Sequence, residues 1–311
     1  MKKLLFYIDK SFYHFGIANI LQNYPNFNMS VIYDVNYIQK KDFLKQKLVK
    51  FSKTWFLQDE IKVNTENIDI KYLEEFEKRE KIDLWKLAYT ERLFLNYNQY
   101  YQFSEKEILS ILEKQCKFFE KIFDEFKPDY LLMRVTDWSR NHLLALLCKS
   151  KKIPGLMFCP SRLSLRCNIG PEFDQIYFPS KEFELNLKNL DEIKHHIKNK
   201  GKSKEFSSIV KRGEKISIFT KIKLFFLYMK ILGEKDYKEF YENFGRSQVK
   251  VIINELSLEI KSKSRKRFLE KKCESIPNKP YVYFPLQFEP ERDLLILSPF
   301  FTKQLEIIKQ I

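Results

Sequence analysis

Apolar residues in this chain fall into short unbroken runs, separated by longer stretches in which they recur every three or four positions. Leu4 to Ile8, Met29 to Val35, Tyr130 to Val135, Gly155 to Cys159 and Gln175 to Pro179 are runs of the first kind and read as strands. Ile17, Ile20 and Leu21 keep helical spacing between the first two, so the chain opens β-α-β, as doubly wound domains do, although no Gly-x-Gly-x-x-Gly follows the first strand. From Tyr37 to Tyr101 helical spacing dominates, with Ile61 to Val63 or Ile68 to Ile70 as candidates for a further short strand. Leu84, Leu87, Ala88, Glu91 and Leu95 share one helical face, on which Glu91 is either a ligand group or the partner of Arg92 or a neighbour. Ser104 and Glu107 have the spacing of a capping box ahead of Ile108, Ile111, Leu112, Phe118, Phe119, Ile122, Phe123 and Phe126, which predicts a helix of about six turns ended by Pro128. Leu143 to Leu147 carry the next helix.

The polar residues that follow strands are where a ligand site is expected, because ligands of open α/β sheets sit outside the carboxyl ends of the strands. His14 lies at the first strand-to-helix corner beside Phe12, Tyr13 and Phe15, a setting that also suits a packing residue. Arg134, Asp137, Arg140 and His142 gather at a second corner, and Ser161, Arg162 and Arg166 follow the next strand. Adjacent parallel strands would bring both corners to one edge, where guanidinium groups can hold a phosphate or a sugar-acid carboxylate through paired donors. Asp137 is equally placed to cap the helix, with the arginines paired to it or solvated. The third cluster is Gln287, Glu289, Glu291 and Arg292, just past the strand-like run Tyr281 to Leu286, which breaks at Pro285. Between two prolines, those charges also fit a solvated loop.

Residues 180–278 are rich in Lys and Glu and read as mostly helical. His195 and His196 are sequence neighbours, so they diverge by about 100° on a helix and are expected at the surface. Ile216 to Leu232 is apolar but interrupted by Lys221, Lys223 and Lys230, so it is not a spanning helix. It suits packing against the first domain, or contact with an anionic membrane surface. Lys261 to Arg267 is a dense basic patch, either a solvated helix end or a site for phosphate or a lipid headgroup.

With 311 residues, 44% of them hydrophobic, and 29 Phe and 17 Tyr, the chain can bury one large core or two moderate ones. Its 7 Gly argue against a collagenous or linker-rich chain. The net charge of +15 favours anionic partners, though lysine-rich composition also occurs without any. Cys116, Cys148, Cys159, Cys167 and Cys273 are odd in number and show no zinc spacing, so they read as buried free thiols in a reducing compartment. Met1 to Asp9 holds too short an apolar run for a signal sequence, and the expected location is cytoplasmic.

The run Tyr283 to Arg292, followed by a hydrophobic stretch and Phe300 to Leu305, resembles the start of the second domain in capsule polysaccharide biosynthesis proteins, a family that includes capsule Kdo transferases. Lys127 to Tyr130 before one strand and Ser161 and Arg162 after another extend the resemblance more loosely. It implies an α/β fold of GT-B-like plan: a doubly wound, Rossmann-like, acceptor-side domain over residues 1–179, a helical linker or insertion over 180–278, and the start of a donor-side domain over 279–311. Transfer of a sugar from a CMP- or UDP-sugar to a glycan or glycolipid is the implied activity, with the nucleotide sugar as substrate and neither a tightly held cofactor nor a metal. Glu289, Glu291, Arg292 and Gln287 would form one wall of the cleft, and Arg134, Asp137, His142, Arg162 and His14 the other, with no catalytic base identified. One strand and one helix cannot close the core of a second lobe. The resemblance therefore implies a truncated or split gene product that alone binds donor poorly and turns over little. A sugar-nucleotide epimerase of the same architecture is the related alternative. A non-catalytic basic protein binding an acidic glycan or nucleic acid is the other, with no specific nucleic-acid signature beyond net charge to support it.

Overall fold

The computed structural model describes residues 1–10, 13–95, 99–136, 138–160, 167–172, 175, 189–200, 218–272, 278–286, 295, 300 and 302–310. Its centre is a six-stranded sheet in the order β3-β2-β1-β4-β5-β6. These strands are β1 (Lys2–Ile8), β2 (Phe27–Tyr33), β3 (Thr54–Phe56), β4 (Tyr130–Arg134), β5 (Gly155–Pro160) and β6 (Cys167–Gly170). The first five run parallel, and β6 pairs antiparallel with β5. The chain is an α/β protein of doubly wound, Rossmann-like strand order, whose direction of progression reverses between β1 and β4.

Continuous burial of Leu4 to Ile8 explains why β1 reads as an apolar run rather than an alternation, since helices cover both faces of the sheet. Leu5 and Tyr7 enter a core with Phe118, Phe119, Ile122 and Phe126 of α7 (Glu105–Phe126) and Leu143, Leu144 and Leu147 of α8 (Ser139–Ser150). Leu4, Phe6 and Ile8 enter the opposite core, with Ala18 and Phe15 of α1 (Tyr13–Leu21). The capping box of α7 forms as its sequence predicts: Ser104 Oγ accepts from the Glu107 N–H at 3.4 Å, and the Glu107 carboxylate accepts from the Ser104 N–H at 2.9 Å.

Several expectations are corrected. The additional strand is Thr54–Phe56, not Ile61 to Val63, which has irregular backbone, nor Ile68 to Ile70, where α4 (Ile70–Glu80) begins. A three-residue edge strand with Trp55 and Phe56 both buried is too short to show alternation. Residues 176–179 of the expected last strand lie outside the described residues, and the strand beside β5 is instead Cys167–Gly170. Tyr281 to Leu286 joins no sheet among the described residues, and Tyr281, Val282, Tyr283 and Leu286 are exposed. Pro280 and Pro285 remove backbone donors at its two ends. Cys116 and Cys148 are buried thiols, but Cys159 is half-buried and Cys167 exposed, because β6 is an edge strand.

Downstream lie helices Leu190–Lys200, Ile218–Ile231, Lys235–Glu239, Gln248–Lys272 and Gln304–Gln310. Among the described side chains of Ile218–Ile231, burial is confined to its end: Ile231, with Leu232 next to it, clusters with Tyr237 and Val251, while Phe219, Phe225 and Phe226 are exposed. Phe240 and Tyr241 join the main core. His195 and the Lys261 to Arg267 run are exposed.

The chain leaves that core through Gly245, whose φ of +71° suits glycine. A Cβ there would stand 2.2 Å from the Tyr100 carbonyl oxygen. Gly245→Ala is therefore expected to lower the free energy of unfolding by at least about 1 kcal/mol, measured by urea titration.

Candidate functional site

Four parallel strands end on one side of the sheet, and each delivers polar residues there. β1 leads to Asp9 and Lys10, β2 to Asp34 and Asn36, β3 to Gln58 in α3 (Leu57–Glu60), and β4 to Trp138 and α8. Asn36 is the N-cap of α2 (Tyr37–Lys45), accepting from the Gln39 N–H at 2.9 Å. Residues 228–246 close over this edge from above, enclosing a cavity of about 280 Å³. Its polar lining is Lys10, Asn36, Gln58, Glu242, Asn243 and Arg246, and its aromatic walls are Tyr37, Trp138, Tyr228, Tyr237 and Phe240.

Arg140 forms the floor of this region. It is 1% exposed and makes a two-point contact with Asp34, Nε to Oδ2 at 2.7 Å and Nη2 to Oδ1 at 3.1 Å. Its Nη1 donates to the Tyr241 hydroxyl at 3.0 Å, its Nη2 pairs with Glu242, and the guanidinium lies 5.0 Å from the Trp138 ring centre. Tyr7 donates to Asp34 at 2.6 Å, and Lys10 meets Glu242 at 3.3 Å. Burial opposes the charge on Arg140, but Asp34 and Glu242 hold its pKa well above the ordinary value. Burial likewise works to raise the Glu242 pKa, and the Arg140 and Lys10 charges more than offset it, leaving the carboxyl below its usual range. Burial, then Asp34, pushes the Tyr7 hydroxyl up.

The amino end of α8 is held by Glu91, 2% exposed, which accepts from the Ser139 N–H at 2.8 Å and the Ser139 hydroxyl at 2.6 Å. Glu91 thus does the work of a distant cap and anchors the helix that carries Arg140, its partner being Ser139 rather than Arg92. Asp137, the cap expected from sequence, lies outside the described residues.

The remaining sequence candidates separate. Arg134 Nη1 lies 3.8 Å from Asp9, and the charges of both act on His14. His14 is fully buried in α1, edge-on to Phe158 of β5 with ring centres 5.3 Å apart, a packing residue and not part of the cavity lining. Burial lowers its pKa below 6.5; Asp9 and the backbone of Met133 favour the proton, but neither ring nitrogen closes a bond of normal geometry. His142 lines a separate space of about 150 Å³ with Thr136, Lys149 and Glu172. It lies two residues from Arg140 on α8, which turns the two side chains to different sides of the helix. Arg162, Gln287, Glu289, Glu291 and Arg292 lie outside the described residues, as do Ser161 and Arg166.

Sequence reasoning missed Lys10, Asp34, Gln58, Glu242 and Arg246. Asp34 ends an apolar run, the same signal that drew attention to Arg134. Glu242 and Arg246 carried none, since they meet the sheet from about a hundred residues further along the chain. Among the described residues no group of three or more His, Cys, Asp or Glu is placed to hold a metal, and no helix is long and apolar enough to cross a membrane.

No protein family profile and no curated protein matches the sequence. A crystal structure of UDP-N-acetylglucosamine 2-epimerase is similar over 52% of this chain and 34% of its own, at 14% identity and a TM-score of 0.28. The chain thus spans about a third of that protein's length, and a likeness of that quality carries no argument about fold or function.

Removing one member of a buried ion cluster leaves the others uncompensated. Arg140→Leu is expected to cost about 3–5 kcal/mol of unfolding free energy in urea titration, and adding Asp34→Asn to it should recover part of that loss. His14 binds protons less readily folded than unfolded, so its contribution is fully present above about pH 6.5 and is lost as pH falls below it. The unfolding free energy from urea titration should fall in the native chain as pH drops from about 6.5 to 5.5, by up to about 1.4 kcal/mol per pH unit from this group, and His14→Leu should flatten the dependence.

Proposed function

We propose that the protein works in capsule or other surface polysaccharide biosynthesis as a glycosyltransferase of GT-B-like plan, handling a CMP- or UDP-sugar and a glycan or glycolipid acceptor. The observation that carries this reading is the cavity at the carboxyl edge of the doubly wound sheet, where strand progression reverses and where such folds take their ligands. Its mixture of cations, amides and aromatic rings is the chemistry that sugars and phosphates call for. In this reading Arg246, which lines the cavity, favours negative charge at the cleft. Peripheral contact with an anionic membrane would run through the Ile218–Ile231 helix, which exposes Phe219 and Phe226 and carries Lys223 and Lys230.

Titration of the full chain with UDP- and CMP-sugars tests the reading. Saturable binding that changes little with salt is expected. Steeply salt-dependent binding of polynucleotide, with no saturable binding of either nucleotide sugar, would overturn it in favour of a basic binding protein. Product analysis with a bound donor separates transfer to an acceptor from epimerisation of the sugar nucleotide.

A further inference from the structure

Arg246 is the cation of the cavity whose partners are all neutral. The Tyr228 and Tyr237 hydroxyls act on its guanidinium, which lies 5.0 Å from the Tyr100 ring centre. No carboxylate lies within ion-pair distance of it among the described residues. Its Nε is sealed from solvent without a hydrogen-bond acceptor. Gln58, which reaches the same cavity from the end of β3, likewise has a sealed Nε2 with no acceptor. Buried donors in folded proteins are nearly always satisfied, and a half-buried guanidinium ordinarily has a counter-anion. The neighbouring charges are already matched, since Asp34 and Glu242 together offset Arg140 and Lys10. One positive charge without a counter-anion among the described residues therefore lines a space of about 280 Å³ walled by Trp138 and tyrosines.

We infer that this cavity binds a small anionic carbohydrate, a sugar phosphate or sugar acid. Its anionic group accepts from the Arg246 guanidinium, its hydroxyls meet the polar wall that includes Gln58 and Asn243, and the sugar's apolar face lies on the aromatic walls. The volume suits one sugar ring with its anionic group. This deepens the sugar-handling reading and rests on it for the carbohydrate part, whereas the requirement for an anion stands on Arg246 alone.

The test is calorimetric titration of the full chain with glucose 1-phosphate, glucuronate, glucose and inorganic phosphate, beside a separate titration with UDP- and CMP-sugars. At least one of the two anionic sugars is expected to bind roughly tenfold or more tightly than both glucose and inorganic phosphate, and which of them does so tells phosphate from carboxylate. Arg246→Gln should weaken that binding by roughly 10- to 100-fold. Gln58→Met, which keeps the side-chain length and leaves the guanidinium in place, should weaken it by a smaller factor and serves if Arg246→Gln fails to fold. Glucose or phosphate binding as well as the anionic sugars, no binding by either anionic sugar, or affinity untouched by the variants would each overturn the inference. Nucleotide-sugar binding that survives such a failure leaves the broader function standing. Its loss while the anionic sugars still bind overturns that function and not this site.

Discussion

A single buried guanidinium holds the ligand edge of this protein together. Arg140 comes from the helix after β4, Asp34 from the end of β2, Tyr7 from β1, and Tyr241 and Glu242 from a segment a hundred residues downstream. A charge so deeply buried is tolerable only with its donors satisfied, and Arg140 meets that condition by using both carboxylates and the tyrosine hydroxyl at once. The downstream segment therefore has one low-energy placement on the sheet. Phe240 and Tyr241 then add apolar burial to a position that the charges specify.

The shape of the cavity follows from that placement. Strand ends alone would leave an open groove with Lys10, Asn36, Gln58 and Trp138 facing water. Seating Tyr241 and Glu242 on Arg140 brings Tyr228, Tyr237 and Arg246 over the groove and encloses it. Glu91 contributes from below: by accepting from Ser139 it fixes the start of α8, and so the depth at which Arg140 sits. The result is a site with a neutralised floor and an uncompensated cation in its roof. Charge compensation at one end makes the lack of it at the other conspicuous.

Where no comparable anchor exists, the chain extends away from the sheet. The Ile218–Ile231 and Gln248–Lys272 helices are joined near Met229, where Gln248 Nε2 donates to the Met229 carbonyl at 2.7 Å, and near Val251, which is buried. Beyond that junction Phe219, Phe226, Val249, Ile253, Leu256 and Ile260 are exposed. Local spacing suffices to make these helices, but burial of an apolar face requires a partner surface, and the described residues supply one only at the junction.

The amino-acid sequence by itself determined the parallel sheet and the capped long helix. Leu4 to Ile8, Met29 to Val35 and Leu131 to Met133 are buried on both faces, so their signal is local and strong, and Ser104 and Glu107 are three residues apart. It also marked the strand-end edge as polar, because polar residues directly after strands are visible in one dimension. Tertiary structure decided which of those residues belong together. His14 and His142 have the right residue type at the right corner, yet helical rotation and packing against Phe158 direct one into a core and the other to a different hollow. Arg140 stands beside His142 in sequence but turns inward to Asp34, a pairing across 106 residues that no local pattern encodes. Glu242 and Arg246 sit in a stretch that reads as an ordinary charged helix region. Their contribution exists only because a long-range ion pair, whose strength depends on exclusion of water, draws that stretch onto the sheet.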